Sequence, residues 1–130
     1  MTPELDKKIC EKYPKIFCDR QGGVKKTLIC FGLECGDGWY EIIDKLCASI
    51  QAHVDELGCD QVVAKQVKEK FGGLRFYVGG ADDVVYQAIG AAEEQSFKVC
   101  EDCGLKEGVT TSSQGGYWIR SLCVNCRKNR

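Results

Sequence analysis

The sequence predicts an α+β protein in which a small core of helices and one β-hairpin precedes a C-terminal ribbon. An apolar stripe with helical spacing comes before a stretch in which apolar and polar residues alternate, and two tight cysteine pairs follow near the C-terminus. These patterns divide the chain into a core over residues 1–97 and a four-cysteine module over residues 98–130.

The N-terminal part is expected to form a helix and then a strand. Apolar residues recur at helical spacing over 3–19, and Pro14 would interrupt the helix there. The stretch Gln21, Gly22 and Gly23 predicts a turn, and the mixture of apolar and charged residues over 24–31 predicts a strand.

A second helix is predicted from the region of Asp37 to Leu57. Asp37 is a suitable N-cap, and Gly58 is a suitable stop. An apolar stripe runs along one face of this segment. Its members are Ile42, Ile43, Leu46, Ile50, Val54 and Leu57.

A β-hairpin is predicted next, with strands at 61–70 and 74–78 joined near the glycine pair 72–73. The basic and aromatic side chains around this hairpin are suited to contact a phosphate, a nucleotide or a partner protein. For folding, the favoured interpretation is that Phe71, Leu74 and Phe76 form core, the glycines make the turn and the lysines are solvated. Two aromatic residues at the start of the second helix are likewise either a binding anchor or core. The candidate binding residues are Trp39, Tyr40, Lys68, Lys70, Arg75 and Tyr77.

A third helix and the cysteine module complete the chain. Asp82 or Asp83 is expected to cap a helix that extends to Phe97. Within the module, 110–116 is expected to be the turn between two ribbon strands, the second of which is 117–122.

The C-terminal cysteines have the spacing of a structural zinc site. Each CxxC loop can direct two thiolates at one ion, and the 19 intervening residues allow a hairpin that brings the pairs together. Four sulfurs leave no coordination position open for water, so this zinc would brace the fold. A redox pair is disfavoured because a thioredoxin-like CxxC stands at the front of a βαβ unit, and two CxxC pairs beside a Gly-Gly hairpin fit that arrangement poorly. The predicted ligands are Cys100, Cys103, Cys123 and Cys126.

A second metal site is left open by the sequence. Cys18, Cys30 and Cys35 lie near one another along the chain, and Cys10 or the single histidine, His53, would complete a set. Their spacing is irregular, and a free cysteine usually behaves as a small buried hydrophobe. Burial of these thiols is therefore the favoured interpretation.

The sequence contains no motif typical of an enzyme. His53 follows Cys47 by six residues, which places the two side chains on different faces of their helix. HExxH, P-loop and GxSxG patterns are absent from the sequence. We therefore expect a protein without catalytic activity, and a metal-dependent enzyme would require the second metal site.

Charge and the N-terminal sequence indicate the environment. The net charge is −1, with −4 over residues 1–97 and +3 over residues 98–130, which is unlike a dedicated nucleic-acid binder. Residues 1–13 are charged throughout, unlike a signal peptide, and no segment approaches the ~18 apolar residues of a membrane span. We expect a cytoplasmic protein with reduced thiols and no membrane partner.

Several longer stretches are distinctive: KYPKIF, ECGDGW, QVKEKFGGLRFYV, AEE, CEDCG and WIRSLC. Together they resemble a group of small cysteine-containing proteins encoded by tailed bacteriophages and prophages. The resemblance implies expression in a bacterial cytoplasm during infection. By analogy with that genomic setting, it also implies a counter-defence protein that inhibits or redirects a host protein.

The functional prediction combines these observations. We expect a non-enzymatic, zinc-stabilised binding protein whose partner is a host protein. The alternative is a nucleic-acid or signalling-nucleotide binder that uses the hairpin and the basic tail over 127–130. Binding of the second kind would weaken steeply with salt.

Overall fold

The structure, a computed structural model, describes residues 1–23 and 25–130. It has an α+β fold, as predicted. Two 3₁₀ helices, Leu28–Phe31 and Asp37–Trp39, accompany the main elements. In chain order these elements are α1 (Pro3–Lys12), β1 (Leu33–Glu34), α2 (Tyr40–Leu57), β2 (Val63–Lys70), β3 (Gly73–Gly79), α3 (Asp83–Ser96), β4 (Thr110–Ser112), β5 (Arg120–Leu122) and α4 (Val124–Lys128).

A three-stranded sheet lies at the centre of the core. Strands β2 and β3 form the expected antiparallel hairpin, and β1 pairs in parallel with β2. Phe71 and Gly72 form the turn with φ angles of 54° and 84°, the left-handed geometry of a tight hairpin turn. Leu74 and Phe76 are buried as expected, but Phe71 is 66% exposed because it occupies the turn itself.

Helices α2 and α3 pack against each other, and α3 also packs on β3. The prediction for α2 is confirmed, and Gly58 ends the helix in the left-handed conformation with φ 62°. Asp37 does not cap α2, since its carboxylate accepts a hydrogen bond from the Thr2 N–H at 2.7 Å. Asp82 does cap α3, with the Val85 N–H donating to its Oδ1 at 3.0 Å. The apolar faces of these helices contribute Ile42, Ile43, Leu46, Cys47, Ile50, Val54, Val85, Ile89 and Ala92 to the core.

The N-terminal region follows its predictions in part. Helix α1 forms and ends at Lys12, just before Pro14 where an interruption was expected, and turns follow it up to Asp19. Of the expected strand over 24–31, Val24 lies outside the described residues, residues 25–26 form a turn, and Leu28–Phe31 is a 3₁₀ helix. The segment that pairs in parallel with β2 is Leu33–Glu34.

Tyr13 ties the end of α1 to α2. Its hydroxyl donates to Asp44 Oδ1 at 2.7 Å, and this bond is the main reason that the pKa of Asp44 lies below its usual value. We expect Tyr13→Phe to lower the unfolding free energy by about 1 kcal/mol near neutral pH. A lowered carboxyl pKa stabilises the fold above the unfolded-state pKa, so this difference should shrink as the pH falls below about 4.

Urea unfolding of the two proteins near neutral pH and at about pH 3 checks this expectation. Tyr86→Phe is the control, because Tyr86 is half exposed on α3. A Tyr13→Phe deficit that stays constant across this range would contradict the role assigned to the Asp44 carboxylate.

The C-terminal module is a two-stranded antiparallel ribbon, β4 with β5, followed by α4. The turn is displaced from its expected place, because the first three residues of the predicted turn 110–116 form β4. The second strand is also shorter than 117–122, and α4 was not expected. Within residues 1–23 and 25–130, no helix combines the length and apolar character needed to cross a membrane.

Candidate metal centre and the surface around it

The side chains of the four C-terminal cysteines lie close together. Their Sγ atoms all lie within 4.8 Å of one another, and those of Cys103 and Cys123 are 3.8 Å apart. Tetrahedral coordination with Zn–S bonds of ~2.3 Å separates the sulfurs by ~3.8 Å. The cluster therefore has the dimensions to hold one metal ion.

Two short segments position the thiols. In the first, which we call the knuckle (residues 100–104), the Gly104 N–H donates to the Cys100 carbonyl at 2.9 Å. In the second, Cys123 is the N-cap of α4, and its sulfur accepts the Cys126 N–H at 3.4 Å. Burial favours the neutral thiol of Cys100, but hydrogen bonds from nearby backbone groups outweigh it and lower its pKa to about 7. A lowered pKa favours the thiolate, which is the form that binds metal.

The knuckle packs on the core against the ECGDGW segment (residues 34–39). The Gly38 N–H donates to the Glu101 carbonyl at 2.7 Å, and Trp39 Nε1 donates to the Val99 carbonyl at 3.0 Å. A Cβ atom on Gly38 would overlap the carbonyl oxygen of Cys100. Sequence analysis placed Gly38 in the first turn of the helix predicted from the region of Asp37, and it missed this close approach, which involves residues far apart in the chain.

Glu101 joins three parts of the molecule and is 1% exposed. Its Oε2 accepts the Gly36 N–H at 2.9 Å, and its Oε1 lies 2.9 Å from Arg120 Nη2 on β5. Burial raises the pKa of Glu101, and Arg120 acts in the opposite direction by favouring the carboxylate. The core, the knuckle and the ribbon are therefore connected through one buried ion pair.

The hairpin turn packs on the ribbon. Ser121 Oγ donates to the Gly72 carbonyl at 2.6 Å and also lies 2.6 Å from Thr111 Oγ1. A Cβ on Gly72 would lie 2.7 Å from Thr111 Cγ2. The two units of the chain are thus in direct contact at the end of the β2–β3 hairpin.

Three exposed aromatic residues lie within a few positions of this contact along the chain. We call Phe71, Tyr117 and Trp118 the aromatic tip; Phe71 and Trp118 are each 66% exposed, and Tyr117 is fully exposed. Trp118 Nε1 donates to Glu69 Oε1 at 3.0 Å, and the Arg120 guanidinium lies 5.0 Å from the Trp118 ring centre. Sequence reasoning placed Phe71 in the core and the other two in a strand. Their position next to the glycines of a turn was the available indication of exposure.

The candidate binding residues fall into two groups. Trp39 is completely buried, which makes it a core residue, and Tyr40 is half-buried beside Lys8. The remaining four lie on the hairpin, where Lys68 pairs with Arg75 in register and Lys70 and Tyr77 are exposed. The structure therefore gathers Lys68, Lys70, Arg75 and Tyr77 in the hairpin, and it separates them from Trp39.

The cysteines considered for a second site do not assemble one. Among residues 1–23 and 25–130, Cys10, Cys18, Cys30 and Cys35 belong to no metal-ligating group. Burial raises the pKa of both Cys10 and Cys35 to about 12, as expected for thiols that serve in packing. His53 lies instead with Cys59 and Asp82, a combination that the sequence spacing did not suggest.

Comparison with known proteins assigns no function to the chain, so its function is inferred from the geometry of the site. The chain matches no protein-family model, no curated protein and no solved structure.

Proposed function

We propose that this chain is a non-enzymatic binding protein, braced by one structural zinc ion, that contacts a partner protein through the aromatic tip. The observation that carries the proposal is the exposure of three large aromatic side chains at the contact between the hairpin and the ribbon. The metal centre lies in the same ribbon and would hold that surface in place.

Zinc is the ion that best suits the four-cysteine cluster. Soft thiolate donors in tetrahedral geometry favour zinc over the hard cations, which take oxygen ligands. A closed set of four sulfurs leaves no place for water or substrate, so the ion is structural. This assignment supports a binding role for the protein and offers no catalytic group at the metal.

A protein partner suits the composition of the aromatic tip. Tryptophan, tyrosine and arginine are the residues most enriched at interface hot spots. Trp118 is held between its hydrogen bond to Glu69 and the guanidinium of Arg120 while most of its surface stays exposed. A side chain ordered before binding loses less entropy when the partner arrives, so more of the contact energy appears as affinity.

Nucleic acid is the alternative partner, and the pairing of the basic residues weakens that case. Arg127 donates to the Ser112 carbonyl at 3.1 Å, and Arg130 forms an ion pair with Asp102 at 2.6 Å. The expected basic tail is thus partly used within the protein. Lys68, Lys70 and Arg75 on the hairpin would supply the remaining phosphate contacts of a nucleic-acid or nucleotide binder.

The resemblance to phage and prophage proteins extends the proposal to the identity of the partner. On that basis we propose that the partner is a bacterial host protein and that binding inhibits or redirects it in the host cytoplasm. A rigid, metal-braced surface is suited to occlude a site on another protein, since little order has to be gained on binding.

Affinity capture from bacterial lysate tests this function. We expect tagged wild-type protein to retain a specific host protein, and Phe71→Ala combined with Trp118→Ala to weaken its binding on the order of 100-fold, as two hot-spot truncations would. Tyr86→Ala is the matched control, because Tyr86 is an exposed aromatic on α3, away from the tip. The melting temperatures of all three proteins should be similar.

Equal capture by the double variant and the wild type would show that the aromatic tip is not the contact surface. A nuclease-sensitive interaction that weakens steeply with salt, and with charge reversal at Lys68 or Arg75, would instead favour the nucleic-acid alternative.

A further inference from the structure

We propose that His53, Cys59 and Asp82 form a second metal site, which we call the α2–α3 site, for a divalent transition-metal ion of the zinc class. One ligand atom from each side chain lies within 4.8 Å of the other two. This site is separate from the four-cysteine cluster and goes beyond the proposed binding function.

The fold brings these three residues together from two helix ends. His53 lies on α2, and Cys59 directly follows Gly58, whose left-handed conformation ends that helix. Asp82 is the N-cap of α3. Because α2 and α3 pack against each other, the end of the first helix meets the beginning of the second.

The Asp82 carboxylate is already oriented for coordination. Its Oδ1 accepts the Val85 N–H at 3.0 Å, and its Oδ2 lies 2.7 Å from His53 Nε2. Such a hydrogen bond to the outer oxygen is the kind of support that holds a metal-ligating carboxylate in place. Zinc bonds of ~2.0–2.1 Å in tetrahedral geometry separate a nitrogen and an oxygen ligand by ~3.3 Å. An ion between His53 Nε2 and Asp82 Oδ2 would therefore require these two atoms to separate by ~0.6 Å.

The donor set indicates the class of ion. Imidazole nitrogen, thiolate sulfur and carboxylate oxygen are the three donor types that zinc accepts in proteins. Three protein ligands leave a coordination position for water, in contrast to the closed four-cysteine cluster. Cys59 and Asp82 are exposed, which gives the ion a path of entry.

An ion pair between His53 and Asp82 is the simpler explanation of part of this arrangement. Their contact of 2.7 Å needs no metal. That explanation leaves the Cys59 thiol without a role, although its sulfur lies within the same group. The thiol is therefore the residue on which the two explanations differ.

Cobalt titration tests the α2–α3 site. Protein that holds one zinc per chain in the four-cysteine cluster is titrated with Co²⁺ and followed by its thiolate-to-cobalt absorption. We expect one further ion to bind, with an absorption band of the intensity that one thiolate produces. Cys59→Ser should abolish this band, and Cys18→Ser should retain it, because Cys18 is an exposed thiol outside the group.

A second variant guards against effects on folding. Asp82→Asn keeps a good helix N-cap and removes the charged ligand, so the protein should fold while its cobalt affinity falls about 10- to 100-fold. The proposal is overturned if wild-type protein binds no second ion. It is also overturned if the cobalt spectrum has four-thiolate intensity, accompanies zinc release and persists in Cys59→Ser, because cobalt would then occupy the four-cysteine cluster.

Discussion

Replacement of Cys103 by serine is expected to release the metal ion that we propose for the four-cysteine cluster and to lower the melting temperature of the protein. Cys103 is exposed, so its side chain contributes little to packing and matters chiefly as a metal ligand. The free energy of binding a structural zinc ion, ~10–16 kcal/mol in small zinc modules, is also folding free energy. Loss of one of four ligands should therefore cost several kcal/mol, far more than the loss of an ordinary surface side chain.

Thermal unfolding together with zinc stoichiometry measures this effect. Cys18→Ser is the matched control, since Cys18 is also exposed but lies outside the cluster. A chelator should lower the melting temperature of the wild type and of Cys18→Ser to that of Cys103→Ser, and it should leave Cys103→Ser itself unchanged. Identical melting curves for all three proteins, with and without chelator, would refute a structural role for the metal.

Gly38→Ala is expected to destabilise the protein by about 3 kcal/mol, the upper part of the range for overpacking a filled space. The new Cβ would overlap the Cys100 carbonyl and lie 2.6 Å from both the Glu101 carbonyl oxygen and the Gly104 nitrogen. All three are backbone atoms of the knuckle, which cannot rotate away as the end of a side chain can. The knuckle would therefore shift, and its two thiols would shift with it.

Gly90→Ala is a control with the opposite expected sign. Gly90 lies within α3, and among the described residues no atom comes within 4 Å of an added Cβ. Alanine in a helix interior is favoured over glycine by about 0.5–1 kcal/mol. Urea unfolding gives both stability changes, and competition with a chromogenic chelator shows whether Gly38→Ala also weakens zinc binding. Equal stability changes for Gly38→Ala and Gly90→Ala would contradict the close packing of the ECGDGW segment against the knuckle.

Local sequence patterns were sufficient for several elements. Helix α2, the β2–β3 hairpin and helix α3 depend on periodicity and on turn or cap residues within a few positions, so they could be predicted. The four-cysteine cluster could also be predicted, because each CxxC loop brings its own two thiols together. Bringing the two loops into contact required the β4–β5 ribbon between them.

The strand pairing and the burial of several aromatic residues depended on contacts between residues far apart in the chain. The segment that pairs in parallel with β2 is Leu33–Glu34, which lies outside the strand predicted at 24–31, because strand formation depends on which segment reaches the sheet edge. Trp39 became core and Phe71 became surface, although both are aromatic residues beside glycines.

The sequence by itself determined the fold class, the main helices, the hairpin and the two CxxC pairs, since each follows from residues close together in the chain. Only the tertiary structure decided how the knuckle packs on the core, which aromatic residues are exposed at the tip, and that His53, Cys59 and Asp82 lie together. The bond from the Gly36 N–H to Glu101 joins residues 65 positions apart, and Asp82 lies 29 positions from His53. No local periodicity spans such separations, because these groups meet only when the packed helices and strands bring them together.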